Sequence, residues 1–299
     1  MRWTGVLPAI TTPFDAQGSV DEAFLRRHVA WLVDSGCTGI VALGSLGEGG
    51  TLRFAEKIRV LEVCAAALGG RAPLTAGIAA LSTAEAVELA RAAQAAGCAG
   101  LMVLPPYVYK GDAEETTAHF RAVIGATPLS CMLYNNPIAY GTDVLPEQLA
   151  ALAAELPNLQ AVKESSADVR RVTAIRARLG EHIAIAVGVD DLILEGIAAG
   201  ATGWIAGLVN GFPVESVRLF DLAMAGRWNE ARELYEWFLP LLRMDTVPKF
   251  VQLIKLAQQE VGRGSERVRA PRQMLTGDER DEALRTIHTA LTSRSRPRA

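Results

Sequence analysis

The sequence predicts an α/β fold, a (β/α)8 TIM barrel with a C-terminal helical extension, on three observations. Eight short apolar runs recur along the chain, each of the length expected for a strand buried on both faces. Segments with helical periodicity alternate with them, and no linker interrupts the alternation. The first run is followed by "AITTPFDAQG", where a doubly wound sheet would normally carry a GxGxxG turn.

The elements follow in order. "GVLPAITT" from Gly5 leads into the amphipathic segment "VDEAFLRRHVAWLVDSG". "GIVALG" from Gly39 precedes the glycine loop "GSLGEGGTL" and the segment "RFAEKIRVLEVCAAAL". "PLTAGI" from Pro73 is followed by "STAEAVELARAAQAAG", where Ser82 or Thr83 is placed to cap a helix and Gly97 to end it. "AGLMVLP" from Ala99, "LSCMLYN" from Leu129, "LQAVKES" from Leu159, "IAIAVG" from Ile183 and "GWIAGL" from Gly203 complete the set. After Gly207 the pattern is purely helical, through "VESVRLFDLAMAG", "WNEARELYEWFLPLLR", "PKFVQLIKLAQQEVG" and "GDERDEALRTIHTALTS". The expectation is a single domain over 1–299, with the barrel at 1–225, helices at 226–292 and a frayed Arg-rich tail at 293–299.

Composition narrows the partners. With 299 residues, half of them hydrophobic, the chain has material for a large buried core. A net charge of -3 offers no basic face to nucleic acid and no polybasic stretch to a membrane, so a small molecule is the expected partner. "MRWTGVLPAITTPF" is too short an apolar stretch for a signal peptide, and no later run reaches the roughly 20 apolar residues of a membrane span. A cytoplasmic location follows as an expectation. Cys37, Cys64, Cys98 and Cys131 lack CxxC spacing and read as buried thiols of a reducing compartment.

The active site of such a barrel lies at the C-terminal ends of its strands. The residues that end the runs are Thr11 and Thr12, Gly44 to Glu48, Pro105 to Tyr107, Tyr134 with Asn135, Lys163, Gly188 to Asp191, and Gly207. Lys163 and Tyr134 stand out. An amine backed by an apolar strand is partly stripped of water, which favours the neutral form that attacks ketones. The resulting iminium draws electrons from the adjacent carbon, so that a bond at or near it forms or breaks without a metal. A phenol ending the preceding strand is placed to move the protons. Two plainer readings stand beside these: Lys163 as an exposed partner of Glu164, and Tyr134 as an aromatic cap on the core. Of the five lysines, Lys57, Lys249 and Lys255 fall on helical segments as solvated or snorkelling side chains, Lys110 belongs to a loop, and only Lys163 closes a strand.

The loop "GSLGEGGTL" lets backbone N–H groups point outward ahead of a helix, a way to hold an anion. It lacks GK[ST], so a carboxylate fits better than a nucleotide phosphate, with a plain strand-to-helix turn as the alternative. His28, His119, His182 and His288 are dispersed without metal-ligand spacing, so neither a metal nor another cofactor is expected. Asp190 and Asp191 read as helix caps or as contacts for substrate hydroxyls.

"GSLGE" after the second run, "YNNP" after the fifth and "VKES" after the sixth resemble, in order, the motifs of the dihydrodipicolinate synthase and N-acetylneuraminate lyase family. The likeness runs from "GVLPAITTPF" through the C-terminal helices. It implies a lyase that forms a Schiff base with pyruvate or another 2-oxo acid and assembles as a dimer of dimers. By position, Lys163 would form the imine, Tyr134 would relay protons and Ser45 would be the hydroxyl of that relay. The backbone around Ser45, Leu46 and Gly47 would hold the substrate carboxylate, with Gly188 and Gly207 lining the site. Tyr107, in "LPPYVYK", matches a tyrosine that many members lend across the dimer interface, with Tyr109 competing for that match. Asp190 and Ser165 fall on positions that contact substrate hydroxyls in sialic acid lyases and sugar-acid aldolases. Two departures bear on the substrate. Where the synthase has PGR[TS]G after its YNxP motif, this chain has "PIAYG", with Ala139 in place of the arginine. A charge-assisted contact worth about 1.5 to 3 kcal/mol per hydrogen bond is thereby missing, which speaks against synthase activity. Leu46 replaces a second hydroxyl of the loop. "YNNPIAYG" and "VGVDD" also look like stretches of members that deaminate a hydroxylated pyrroline carboxylate. The implied activity is cleavage, dehydration or deamination of a hydroxylated 2-oxo acid or pyrroline carboxylate. Synthase activity and a non-catalytic acid-binding barrel are the alternatives.

Overall fold

The computed structural model describes residues 1–293. Eight strands run parallel: β1 (Gly5–Pro8), β2 (Ile40–Ala42), β3 (Leu74–Ile78), β4 (Gly100–Val103), β5 (Ser130–Asn135), β6 (Leu159–Glu164), β7 (Ala184–Val187) and β8 (Gly203–Ala206). Their order in the sheet is β1-β8-β7-β6-β5-β4-β3-β2. The ring is nearly closed where Ala9 bridges Val41 and the Ile10 N–H donates to the Val41 carbonyl at 2.9 Å. Each strand matches one of the apolar runs, because side chains on both faces are covered, inside by the barrel core and outside by helices.

Local chemistry sets the helix ends. The Asp21 side chain accepts from the Phe24 N–H to open Glu22–Asp34. Of the two candidate caps for Thr83–Ala95, Ser82 is the one used, and Gly97 follows that helix at φ +89°. Asp112 and Glu115 form a reciprocal capping box at Ala113–Ile124.

After β8, helix Pro213–Met224 completes the outer ring, and Trp228–Leu242, Phe250–Glu260 and Gly277–Ser293 form the extension. Phe238 meets Phe212 edge to face at 5.8 Å, and the Trp237 ring N–H donates to the Ala290 carbonyl at 3.1 Å. Polar contacts tie the extension to the barrel: Thr11 donates to Gln258 at 2.8 Å, and the Gln258 amide lies 3.5 Å from the His28 ring, which is itself 3.0 Å from Asn210. The helix reaches Ser293, and the rest of the expected tail, 294–299, lies outside the described residues.

Two lysine readings need correction. Lys255 is not solvated: its amine is buried and donates to Glu48 at 2.5 Å and to the Arg267 carbonyl at 2.7 Å. Lys57 is also largely buried, its amine 3.5 Å from the Ala79 carbonyl. Lys249 is half-exposed and pairs with Glu279. The four cysteines are buried and unpaired, and burial pushes Cys37, Cys98 and Cys131 up to about 12. Among the described residues no helix is long and apolar enough to cross a membrane.

Candidate active site

Lys163 and Tyr134 are direct partners in the β5–β6 register. Both side chains are nearly buried, and the Lys163 amine nitrogen lies 4.1 Å from the centre of the Tyr134 ring. Period-2 alternation sends the neighbour of Lys163 the other way. Glu164 accepts from Asn135 at 3.1 Å and from the Ser166 N–H at 2.7 Å, outside the barrel centre. Among the described residues Lys163 has no ion-pair partner, so the reading of a Lys163–Glu164 pair is set aside. Asn135 in turn donates to Asp143 and accepts from the Val144 N–H at 2.9 Å, which fixes the end of β5.

The Tyr134 hydroxyl accepts from Asn136 at 3.0 Å. The same Asn136 caps a four-residue helix, Pro137–Tyr140, that swings Tyr140 back over the barrel. Tyr140 was not singled out in the sequence, yet it is central: its hydroxyl bonds the Ser45 hydroxyl and its ring meets Tyr134 edge to face at 5.7 Å. Burial and neighbouring Tyr134 push the Tyr140 phenol well above its ordinary value, so it acts as a neutral hydroxyl. Ser45 therefore reaches Tyr140 rather than bonding Tyr134 directly. The Tyr107 ring lies 5.9 Å from that of Tyr140 within the same chain, whereas Tyr109 is exposed and bonds Glu115.

The loop after β2 is built from backbone that only particular residues permit. Leu43 and Glu48 sit at φ +65° and +53°, and a Cβ on Gly49 would fall 2.2 Å from the Leu43 carbonyl oxygen. A Cβ on Gly47 would approach the Ile10 carbonyl oxygen to 2.9 Å, and the Gly47 carbonyl accepts from Thr12 at 2.6 Å. Among the described hydrogen bonds none uses the N–H of Ser45 or Leu46, which leaves both free for an anion. Leu46 is buried. Glu48 faces the other way, holding Lys255 and the Arg269 N–H at 3.0 Å, and so anchors the loop to the extension. A cavity of about 650 Å³ reaches Ser45 between the barrel and the extension, past Gly50, Thr51, Tyr107, Gln252 and Arg272.

On the far side of Lys163, glycines make room. A Cβ on Gly188 would fall 2.0 Å from the Ser165 hydroxyl oxygen and 2.5 Å from Lys163 Cε. One on Gly207 would fall 2.1 Å from Asp245 Oδ1. Asp190 differs from its expected role. Its carboxylate is fully buried and accepts from the Trp204 ring N–H at 2.9 Å, from the Gly207 N–H at 3.1 Å and from the Leu208 N–H at 2.8 Å. Burial pushes its carboxyl up to about 6, against these donors and the charge of Lys163. With its oxygens committed to the end of β8, Asp190 is a strut of the site rather than a free hydroxyl contact. Asp191 is engaged elsewhere, its carbonyl accepting from Tyr235. Among the described residues no group of three or more His, Cys, Asp or Glu is arranged to hold a metal ion.

The chain as a whole has known relatives. The model of the dihydrodipicolinate synthetase family matches residues 2–290. A 4-hydroxy-tetrahydrodipicolinate synthase of Pelobacter propionicus is 34% identical over 267 residues, 89% of this chain and 91% of its own. The enzyme of that name from Methanothrix thermoacetophila is 32% identical over 289 residues, 96% of this chain and 97% of its own. The chain is similar in structure to the 4-hydroxy-tetrahydrodipicolinate synthase of Methylacidiphilum fumariolicum, with a TM-score of 0.92, 29% identity, and 97% and 95% of the two chains covered. It is equally similar, at a TM-score of 0.92 and 29% identity, to the chloride-inhibited dihydrodipicolinate synthase of Acinetobacter baumannii in complex with pyruvate, with 97% and 99% covered. A family match over nearly the whole length, on a barrel with a lysine at the mouth of its sixth strand, places this chain in the dihydrodipicolinate synthetase family of aldolase-type lyases.

Proposed function

We propose that Lys163 forms an imine with a 2-oxo acid and that the protein then cleaves or eliminates at a neighbouring carbon of a hydroxylated compound. The observation that carries this is the Lys163 amine held 4.1 Å over the Tyr134 ring, with no carboxylate of the described residues within ion-pair distance. The amine nitrogen adds to the ketone carbon, and the ketone oxygen leaves as water. In aldol cleavage the C3–C4 electron pair then flows into the iminium to give an enamine, and the C4 hydroxyl loses its proton as the aldehyde departs. Tyr134, with Tyr140 and Ser45 beyond it, is the route by which that proton moves. The N–H groups of Ser45 and Leu46 hold the substrate carboxylate. The pyruvate complex of the similar Acinetobacter baumannii enzyme supports pyruvate as one acid of the right kind. Assembly as a dimer of dimers and a cytoplasmic location belong to the same reading, supported by the family.

A second reading is favoured by the names of the relatives: condensation of pyruvate with aspartate semialdehyde. Against it, Ala139 stands where the resemblance calls for an arginine, and Asp190 and Asp245 make this side of the site acidic. Turnover decides between them. Release of a shorter oxo acid, water or ammonia from hydroxylated 2-oxo acids or a hydroxylated pyrroline carboxylate is expected, with little condensation at saturating semialdehyde. The opposite pattern overturns the lyase reading.

A further inference from the structure

The extension brings to the barrel mouth one carboxyl group, that of Asp245, whose buried oxygen no other described group hydrogen-bonds. Asp245 sits in the turn after helix Trp228–Leu242, and its Oδ1 is buried with no hydrogen-bond partner. Buried carboxyl oxygens nearly always have partners, so an orphan here calls for one that the protein itself does not supply. The contrast with Asp190 is direct: that carboxylate is saturated by Trp204, Gly207 and Leu208, while Asp245 lies against the bare Cα of Gly207. A second orphan stands nearby. The Ser165 hydroxyl is buried, has no partner, and packs against Gly188 beside Lys163 Cε. Both glycines end strands adjacent to β6 or one beyond it, so the two unpartnered groups border the space around the Lys163 amine.

We propose that Asp245, together with Ser165, forms a polar subsite that binds a hydroxyl group on the substrate chain beyond the carbonyl that Lys163 captures. The inference rests on the imine reading and adds a residue to it. A hydroxyl both donates and accepts, which suits a serine hydroxyl on one side and a carboxyl on the other. A second carboxylate does not suit the place, because Asp190 and Asp191 already repel Asp245 there and only Lys163 pulls the other way. Burial and Asp190 push the Asp245 carboxyl well above its usual range, against the pull of Lys163, so it is available as a hydrogen-bond donor as well as an acceptor. The subsite therefore selects for a neutral hydroxylated chain over a plain alkyl chain or a diacid.

The test compares two acids of one carbon skeleton, 2-oxobutyrate and 4-hydroxy-2-oxobutyrate, by the concentration of each needed for half-maximal borohydride trapping on Lys163. The intact protein is expected to prefer the hydroxylated acid, Asp245→Ala to lose about tenfold of that preference, and Asp245→Asn, whose amide still bonds a hydroxyl, to keep most of it. Asp245→Leu, which fills the volume without polarity, gives the same reading should the alanine variant fail to fold. An unchanged preference in the alanine and leucine variants overturns the assignment of Asp245 alone. Absence of any adduct in the intact protein overturns the imine reading and the subsite with it.

Discussion

Tyr140 bonds the hydroxyl of Ser45 while its ring stands edge-on to Tyr134, 5.7 Å away, so three hydroxyl-bearing side chains form one cluster beside Lys163. The link from the loop after β2 to the phenol of β5 thus runs through a residue of the short helix Pro137–Tyr140.

Removing that one hydroxyl tests the relay. Tyr140→Phe keeps the ring contacts with Tyr134 and Tyr107 but loses the bond to Ser45. A fall in kcat of about a hundredfold with the melting temperature nearly unchanged is expected, at the lower end of what a positioned proton-transfer group contributes. Steady-state kinetics beside thermal denaturation measures both.

The Glu48–Lys255 pair has both side chains out of water, which makes it costly to break from one side. Lys255→Met leaves Glu48 buried with only the Arg269 N–H and the more distant Arg272, and is expected to cost about 3 to 5 kcal/mol in urea denaturation. The double variant Glu48→Gln with Lys255→Met should recover part of that loss, because no uncompensated charge remains.

His28 gives stability a defined dependence on pH. Burial lowers its pKa from 6.5 to about 4, partly opposed by Asn210 and reinforced by the charge of Arg263. The folded protein thus holds the ring neutral where the unfolded chain would protonate it. Its contribution is fully present above pH 6.5 and is lost as the pH falls toward 4, by about 3 kcal/mol in all. His28→Gln removes this slope, so the stability gap between the two proteins should narrow steadily across that window.

At Gly188 any side chain meets Ser165 and Lys163, both closer than 3 Å to the place a Cβ would take. Gly188→Ala is expected to displace the lysine and lower imine formation at least tenfold, read as the rate of borohydride trapping.

The barrel was legible because its strands are covered on both faces and so appear as unbroken apolar runs, and the place of Lys163 near the end of β6 was legible because only one lysine ends such a run. What escaped depends on contacts distant in sequence. Tyr140 sits after Asn136 and Pro137, a cap-and-proline signal for a helix start, but that signal does not say that the short helix turns the Tyr140 ring back onto Ser45 and Tyr134. Lys255 lies on an amphipathic helix and looks like a surface lysine until Glu48, 207 positions earlier, is brought against it. Asp245 lies in a turn within a helical stretch, and nothing in its periodicity says that the turn folds back onto Gly207. The backbone partners of Asp190 were not legible either, since a strand-end carboxylate looks the same in sequence whether it faces substrate or the N–H groups at the end of the next strand.

Capture of the ketone by the amine of residue 163 is the step on which the proposed reaction rests. Incubating the protein with pyruvate and borohydride, then locating the reduced pyruvyl group by peptide mass spectrometry, tests it most directly. One stable adduct is expected, on Lys163, absent from Lys163→Ala. An adduct on another lysine, or none across a panel of 2-oxo acids, would contradict it.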